Sequence, residues 1–161
     1  MTDYNGIHHI AMSVPSLEEA RKFYIDLLGM KEVSTYSWEN SPRMDAVTGL
    51  KDTAGEMMWV DAGNMLLELF EYRSPAPRAV RPEGVHNFGY THFCLDIRDA
   101  AGLYEKLKAT GMAIYSEPQH SANALKFYGK DPFGNVIEFQ EVYPHATMPT
   151  RVPGTSGGVR A

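Results

Sequence analysis

A chain of 161 residues is long enough for one domain with a core, or for two small modules that share one. It is 43% hydrophobic and 22% charged, and its formal net charge of −5 argues against a nucleic acid or an anionic membrane as partner. The single cysteine, Cys94, excludes an intramolecular disulfide. Because neither a signal peptide nor an apolar run of about 20 residues is recognisable, we expect a cytoplasmic protein without membrane spans.

The first half of the chain predicts one helix among four strands. Residues 7–14 alternate between apolar and polar side chains, as a half-buried strand does. Ser16 and Glu19 form a capping box, and Gly29 is a typical helix stop, so a helix is expected over 16–28. The remaining predicted elements are strands at 30–36, 56–61 and 65–72, a loop at 38–55 and a turn at 62–64.

The second half repeats this order after a proline-containing stretch. Its predicted elements are a strand at 90–97, a helix at about 99–109, and strands near 112–116, 124–129 and 135–142. The predicted fold is therefore α+β, with two paired βαβββ modules forming a curved mixed sheet around one cavity. The predicted divisions are a first module at 1–72, a linker at 73–87, a second module at 88–143 and a flexible tail at 144–161.

Both modules carry one histidine and one glutamate at corresponding places. His9 and His92 lie on the first strand of each module, and Glu68 and Glu138 each interrupt an apolar strand. A carboxylate inside an apolar strand is expensive to bury without a partner. His9 precedes Glu68 by 59 positions and His92 precedes Glu138 by 46, and the longer 38–55 loop accounts for the difference of 13.

Strand alternation predicts that these four side chains face the cavity while their apolar neighbours face the helices. Imidazole and carboxylate ligands together suit Fe, Ni, Co, Zn or Mn. We therefore predict one divalent metal, of unknown identity, held by His9, Glu68, His92 and Glu138.

Over about residues 6–142 the chain resembles the vicinal oxygen chelate superfamily, which includes glyoxalase I, bleomycin resistance protein, methylmalonyl-CoA epimerase, extradiol dioxygenases and fosfomycin-resistance proteins. The resemblance is carried by the stretches 8–18, 23–30, 66–69, 90–93 and 131–138. It implies paired βαβββ modules, a divalent metal and the same four ligands. A four-ligand set is similar to that of bacterial glyoxalase I, epimerases usually have Gln where Glu68 stands, and the dioxygenases use three ligands that match His9, His92 and Glu138.

The resemblance implies a metal-dependent lyase or isomerase, similar to glyoxalase or the epimerases. It would act on a small oxygenated substrate through a metal-stabilised enolate, with Glu138 or Glu68 as the general base. Ser13 replaces an Arg that commonly helps glyoxalase I hold glutathione, which argues against a glutathione substrate.

Two other functions stay open. An Fe(II)-dependent extradiol-type dioxygenase would use His120 and Tyr128 as acid–base or hydrogen-bonding groups, because a similar His and Phe-Tyr pair occur in that family. A non-catalytic small-molecule-binding protein would need neither a metal nor a base.

The expected partner is a small-molecule substrate with an apolar or aromatic part, and the expected assembly is a homodimer. Aromatic and methionine side chains cluster in the first module and suit a flat apolar ligand: Tyr36, Trp38, Met44, Met57, Met58 and Trp59. The neighbouring loop at 38–55 is a candidate lid.

Overall fold

The computed structural model describes residues 7–78 and 84–147, and these two ranges form two compact units. The first unit contains β1 (His9–Ser13), α1 (Leu17–Ala20) continued by a π-helical segment (Arg21–Leu27), β2 (Lys31–Trp38), α2 (Pro42–Thr48), β3 (Ala54–Asp61) and β4 (Leu66–Ser74). The second contains β5 (Phe93–Asp96), α3 (Ala100–Ala109), β6 (Gln119–His120), β7 (Ala124–Lys130) and β8 (Val136–Val142). None of the helices described is long and apolar enough to cross a membrane.

Each unit is built on one four-stranded mixed sheet. The strand orders are β1-β4-β3-β2 and β5-β8-β7-β6. In each sheet the first strand runs parallel to the last strand of its unit, and the other pairs are antiparallel. The predicted α+β class and the two βαβββ modules are confirmed, while their arrangement around a common cavity stays a prediction.

Strand alternation divides the faces of each sheet as predicted. Leu67 and Leu69 flank Glu68 on β4 and are 2% and 0% exposed, and Ile137 and Phe139, which flank Glu138, are both fully buried. Burying one such side chain contributes roughly 1.5–3 kcal/mol, which fixes the register of the strand. The intervening glutamates are thereby held on the opposite face of each sheet.

In each unit a second glutamate on the ligand-bearing strand is hydrogen-bonded to the start of a helix, α1 in the first unit and α3 in the second. Oε2 of Glu71 accepts a hydrogen bond of 2.7 Å from the backbone N–H of Leu17, where α1 begins. Oε2 of Glu141 accepts one of 2.9 Å from the N–H of Ala100, at the start of α3. Each carboxylate satisfies a helix N–H that has no partner within its helix.

The expectation of a loop at 38–55 is wrong, because the segment contains α2. Ser41 caps this helix by accepting a hydrogen bond of 3.3 Å from the N–H of Met44. Pro42 occupies its first turn, and Gly49 ends it with a positive φ of 70°. Ser-Pro followed seven positions later by Gly is a helix signal that the polar composition of the segment obscures.

The second unit departs from the prediction at three strands. The expected strand at 112–116 is reduced to one bridge between Ile114 and Gly129, and the expected strand at 90–97 shortens to Phe93–Asp96. The short strand Gln119–His120 is an additional element. Of the predicted linker, residues 79–83 lie outside the described residues, as do residues 148–161 of the predicted tail.

Candidate metal centre

The first histidine–glutamate pair lies on adjacent parallel strands. Nε2 of His9 is 3.2 Å from Oε2 of Glu68. Ala11 is the register partner of Glu68, so the imidazole reaches the carboxylate diagonally from two residues earlier on β1. Burial raises the pKa of Glu68, and the nearby imidazoles of His9 and His8 partly oppose that rise.

The second pair has the same geometry. Nε2 of His92 is 3.2 Å from Oε2 of Glu138. Cys94 is the register partner of Glu138 across β5 and β8, so His92 again precedes that partner by two residues. The repeat recognised in the sequence is therefore reproduced in the contacts of both pairs.

Both imidazoles are oriented by the side chain immediately before them. Nδ1 of His9 lies 2.9 Å from Nδ1 of His8, and Nδ1 of His92 lies 2.8 Å from Oγ1 of Thr91. With Nδ1 occupied, Nε2 of each ring is directed to its glutamate, as second partners orient histidines that bind metals. His8 is not among the predicted ligands, and its contact with His9 gives it this orienting position.

An aromatic side chain stands directly across from each glutamate. Trp59 is the register partner of Glu68, and its ring contacts that of His9 edge to face, with 5.0 Å between centroids. Tyr128 is the register partner of Glu138 and contacts His92 in the same way at 5.1 Å. The hydroxyl of Tyr128 lies 3.4 Å from Nε2 of His92, so Tyr128 adjoins the pair while its catalytic role stays a prediction.

The surroundings of Glu138 suppress ionisation of two neighbours. Burial, reinforced by the charge of Glu138 and a hydrogen bond to it, raises the pKa of the Cys94 thiol to about 12. Burial and the same carboxylate raise the pKa of the Tyr128 hydroxyl to about 12. Both groups therefore remain protonated hydrogen-bond donors at neutral pH.

The second pair has a lysine that the sequence analysis missed. Nζ of Lys126 is 3.3 Å from Oε1 of Glu138, the carboxylate oxygen that His92 does not contact. Lys126 is the register partner of Gln140, two positions beyond Glu138, and Met57 has the equivalent place relative to Glu68. The signal was available in the sequence, since Lys126 shares a strand face with Tyr128.

His120 lies on β6 and has a different partner. Its Nδ1 is hydrogen-bonded to the hydroxyl of Tyr143, whose ring also stacks on His145. Within the described residues no hydrogen bond or ion pair joins His120 to Glu138.

The predicted aromatic cluster is only partly on the face of the first pair. Met58 is fully buried and faces the helix side. Trp38 is 4% exposed and packs edge to face on Phe70 and Tyr72, and its Nε1–H donates to Oγ1 of Thr53 at 3.1 Å. Phe70 and Tyr72, which the prediction omitted, follow Glu68 on the same face of β4 and stack at 5.5 Å. An aromatic wall formed by Trp59, Phe70 and Tyr72 therefore adjoins Glu68.

Each unit offers one histidine–glutamate pair to a metal. Among the described residues of either unit, no three His, Cys, Asp or Glu side chains form a cluster that could hold a metal by itself. Two imidazole nitrogens and two carboxylates match the ligand preferences of Fe, Ni, Co, Zn and Mn. The donor chemistry and the orientation of both imidazoles fit a divalent ion.

Comparison with known proteins identifies several relatives. A family model described as Glyoxalase/Bleomycin resistance protein/Dioxygenase superfamily matches residues 6–139. A 2-epi-5-epi-valiolone epimerase from an Actinomyces species is 28% identical over 131 residues, and the match covers 71% of this chain and 64% of that protein. The chain thus spans just under two thirds of the length of this relative.

Solved structures show the same fold. A glyoxalase family protein from Bacillus cereus has a TM-score of 0.79 at 21% identity, covering 88% of this chain and 96% of that one. The trypanothione-dependent glyoxalase I of Leishmania major has a TM-score of 0.61 at 19% identity, covering 86% and 87% of the respective chains.

Proposed function

The chain belongs to the Glyoxalase/Bleomycin resistance protein/Dioxygenase superfamily, and on that premise we propose that it is a metal-dependent isomerase. It would move a proton at a carbon next to a carbonyl of a small oxygenated substrate. The observation that carries the proposal is the repeated pair, in which an oriented imidazole Nε2 lies 3.2 Å from a carboxylate in both units.

One divalent ion would be held by His9, Glu68, His92 and Glu138. When bound, such an ion stabilises the negative charge that develops on a substrate oxygen. The proposal requires that both pairs serve the same ion, whether they come from one chain or from two.

The protein side of the chemistry is a proton transfer by one of the two carboxylates. Removing a proton beside a carbonyl needs a base whose pKa is tuned toward the working pH. Burial raises the pKa of Glu68, so this group is a better proton acceptor than a solvated carboxylate. Tyr128 stays protonated beside His92 and can donate a hydrogen bond to a substrate oxygen.

The epimerase from Actinomyces favours isomerisation over the other reactions of the superfamily. The aromatic wall of Trp59, Phe70 and Tyr72 adjoins Glu68 and suits an apolar or aromatic part of the substrate. Ser13 provides no cation for a glutathione carboxylate at the place where glyoxalase I commonly has Arg.

The dioxygenase alternative receives less support from the contacts. It assigns His120 a part in catalysis, and this imidazole is instead hydrogen-bonded to Tyr143. It also leaves Glu68 without a role, although Glu68 has the same contact with histidine as Glu138.

The test uses protein stripped with a chelator and reloaded with Ni²⁺, Co²⁺, Zn²⁺ or Mn²⁺. Each form is incubated in D₂O with 2-epi-5-epi-valiolone and a panel of small α-hydroxy ketones. Metal-dependent deuterium uptake next to the carbonyl supports the proposal. Oxygen consumption by an Fe(II) form with a catechol, without deuterium uptake in any form, would refute it.

A further inference from the structure

The two carboxylates of the repeat differ in their charged neighbours: Glu138 is contacted by a lysine and Glu68 is not. Oε1 of Glu138 is bound by Nζ of Lys126 at 3.3 Å, while its Oε2 faces Nε2 of His92 at 3.2 Å. Both oxygens of Glu138 therefore have a fixed partner. Glu68 has its histidine at Oε2, and the equivalent of Lys126 in the first unit is the uncharged Met57.

The backbone around Lys126 is firmly placed. Lys126 is register-paired on both sides, with Gln140 on β8 and Gln119 on β6. Its neighbour Phe127 is 1% exposed and points to the opposite face. The lysine stem thus starts from a central strand, and its partial exposure places the ammonium at the edge of the ligand-bearing face.

We propose that Lys126 is a positioning residue that fixes Glu138 as the static ligand and leaves Glu68 as the carboxylate that moves during proton transfer. This inference rests on the proposed function. A carboxylate whose second oxygen is held by an ammonium presents the first oxygen to a metal in one orientation. A carboxylate without that restraint can rotate away and accept a proton.

The unequal roles predict unequal effects of the same substitution at equivalent positions of the repeat. Glu138→Gln removes the charge that Lys126 orients and is expected to weaken metal binding at least about 100-fold. Glu68→Gln retains an amide oxygen at a position where no lysine holds the second oxygen, and it is expected to weaken metal binding by no more than about tenfold. In a Lys126→Met background this difference shrinks, because the restraint on Glu138 is gone.

The measurement is Co²⁺ affinity of the full chain, by competition with a chromophoric chelator, with the visible Co²⁺ spectrum as a report on ligand geometry. Lys126→Met introduces the residue type that the first unit has at the equivalent position, Met57. This variant is expected to bind Co²⁺ about tenfold more weakly and to have an altered Co²⁺ spectrum. Lys126→Arg should restore most of the affinity. Lys130→Met is the matched control, since Lys130 lies on the same strand over the ring of Tyr115 and should leave Co²⁺ binding unchanged.

Unchanged affinity in Lys126→Met, or tighter binding because the ammonium competes with the ion, would overturn the positioning role while the proposed function stands. Equal losses in Glu68→Gln and Glu138→Gln would overturn the division between static and mobile carboxylates. A wild-type chain that binds no divalent metal would reject the proposed function itself, and this inference with it.

Discussion

The imidazole of His9 lies 3.2 Å from the carboxylate of Glu68, although 58 residues separate them in the chain. The parallel pairing of β1 with β4 produces this contact, and the pairing of β5 with β8 produces its counterpart in the second unit. Each histidine therefore meets its glutamate because the first strand of each module pairs with the last strand of that module.

Removal of the side chains that orient the imidazoles is expected to weaken metal binding. His8→Ala frees Nδ1 of His9, and Thr91→Ala frees Nδ1 of His92. Loss of such a partner typically lowers metal affinity about 10- to 100-fold, and both variants should fall in that range by calorimetric titration. His86→Ala is a control for loss of a histidine elsewhere. Unchanged affinity in both test variants would show that the imidazoles need no such support.

Cys94 is expected to react slowly with iodoacetamide although its residue is exposed. Its pKa of about 12 leaves only a small thiolate fraction at pH 8, so alkylation should be markedly slower than for an ordinary thiol with a pKa of about 8.5. The rate in metal-free protein should rise about tenfold per pH unit up to pH 11. Glu138→Gln should accelerate alkylation, because it removes the adjacent charge that raises the pKa of Cys94. Fast labelling of the wild type at pH 8 would show that the pKa of the thiol is not raised.

Asp45 is expected to stabilise the protein at neutral pH and to lose that effect in acid. Its Oδ1 accepts hydrogen bonds from the hydroxyl and the N–H of Thr53, and these contacts lower the pKa of Asp45. A carboxyl whose pKa is lower in the folded state stabilises the fold above its unfolded value, near 3.9, and the effect disappears as the pH falls through the folded value.

Asp45→Asn should accordingly lower the thermal midpoint at pH 7, with a difference from wild type that narrows toward pH 3. Asp52→Asn removes the same charge nearby and retains the acceptor for Thr53, so it serves as the control. A difference that is constant across this pH range would argue that Asp45 does not act through its ionised form.

Glu71 and Glu141 are expected to stabilise their units to a similar extent, because each accepts a hydrogen bond from an N–H at the start of a helix. Replacing either by Ala leaves the N–H of Leu17 or Ala100 without its carboxylate partner, at a cost of about 1 kcal/mol of unfolding free energy. Chemical denaturation measures the effect, and Glu105→Ala on the exposed side of α3 is the control. A loss confined to one variant would contradict the equivalence of the two ties.

The repeated module and the faces of the ligand-bearing strands could be predicted from the sequence, because apolar and polar side chains alternate along these strands. The apolar members of this alternation are buried in the structure: Leu67, Leu69, Ile137 and Phe139. The sequence was insufficient where a single cap or contact decides the outcome. Ser41 and Pro42 start a helix in a segment whose composition indicates a loop. The bond of His120 to Tyr143 depends on the pairing of β6 with β7, which is too short to be recognised from the sequence. The homodimer and the cytoplasmic location stay predictions.

The most direct test of the central claim is the number of metal ions that one chain binds when either pair is broken. Wild-type protein, Glu68→Ala and Glu138→Ala are titrated with Co²⁺ under identical conditions, and stoichiometry and affinity are measured by calorimetry. We predict one ion per chain in the wild type, bound at least about tenfold more weakly in Glu68→Ala and weaker still in Glu138→Ala. Two independent ions per chain, or an ion that is indifferent to Glu68, would contradict a site shared by both pairs.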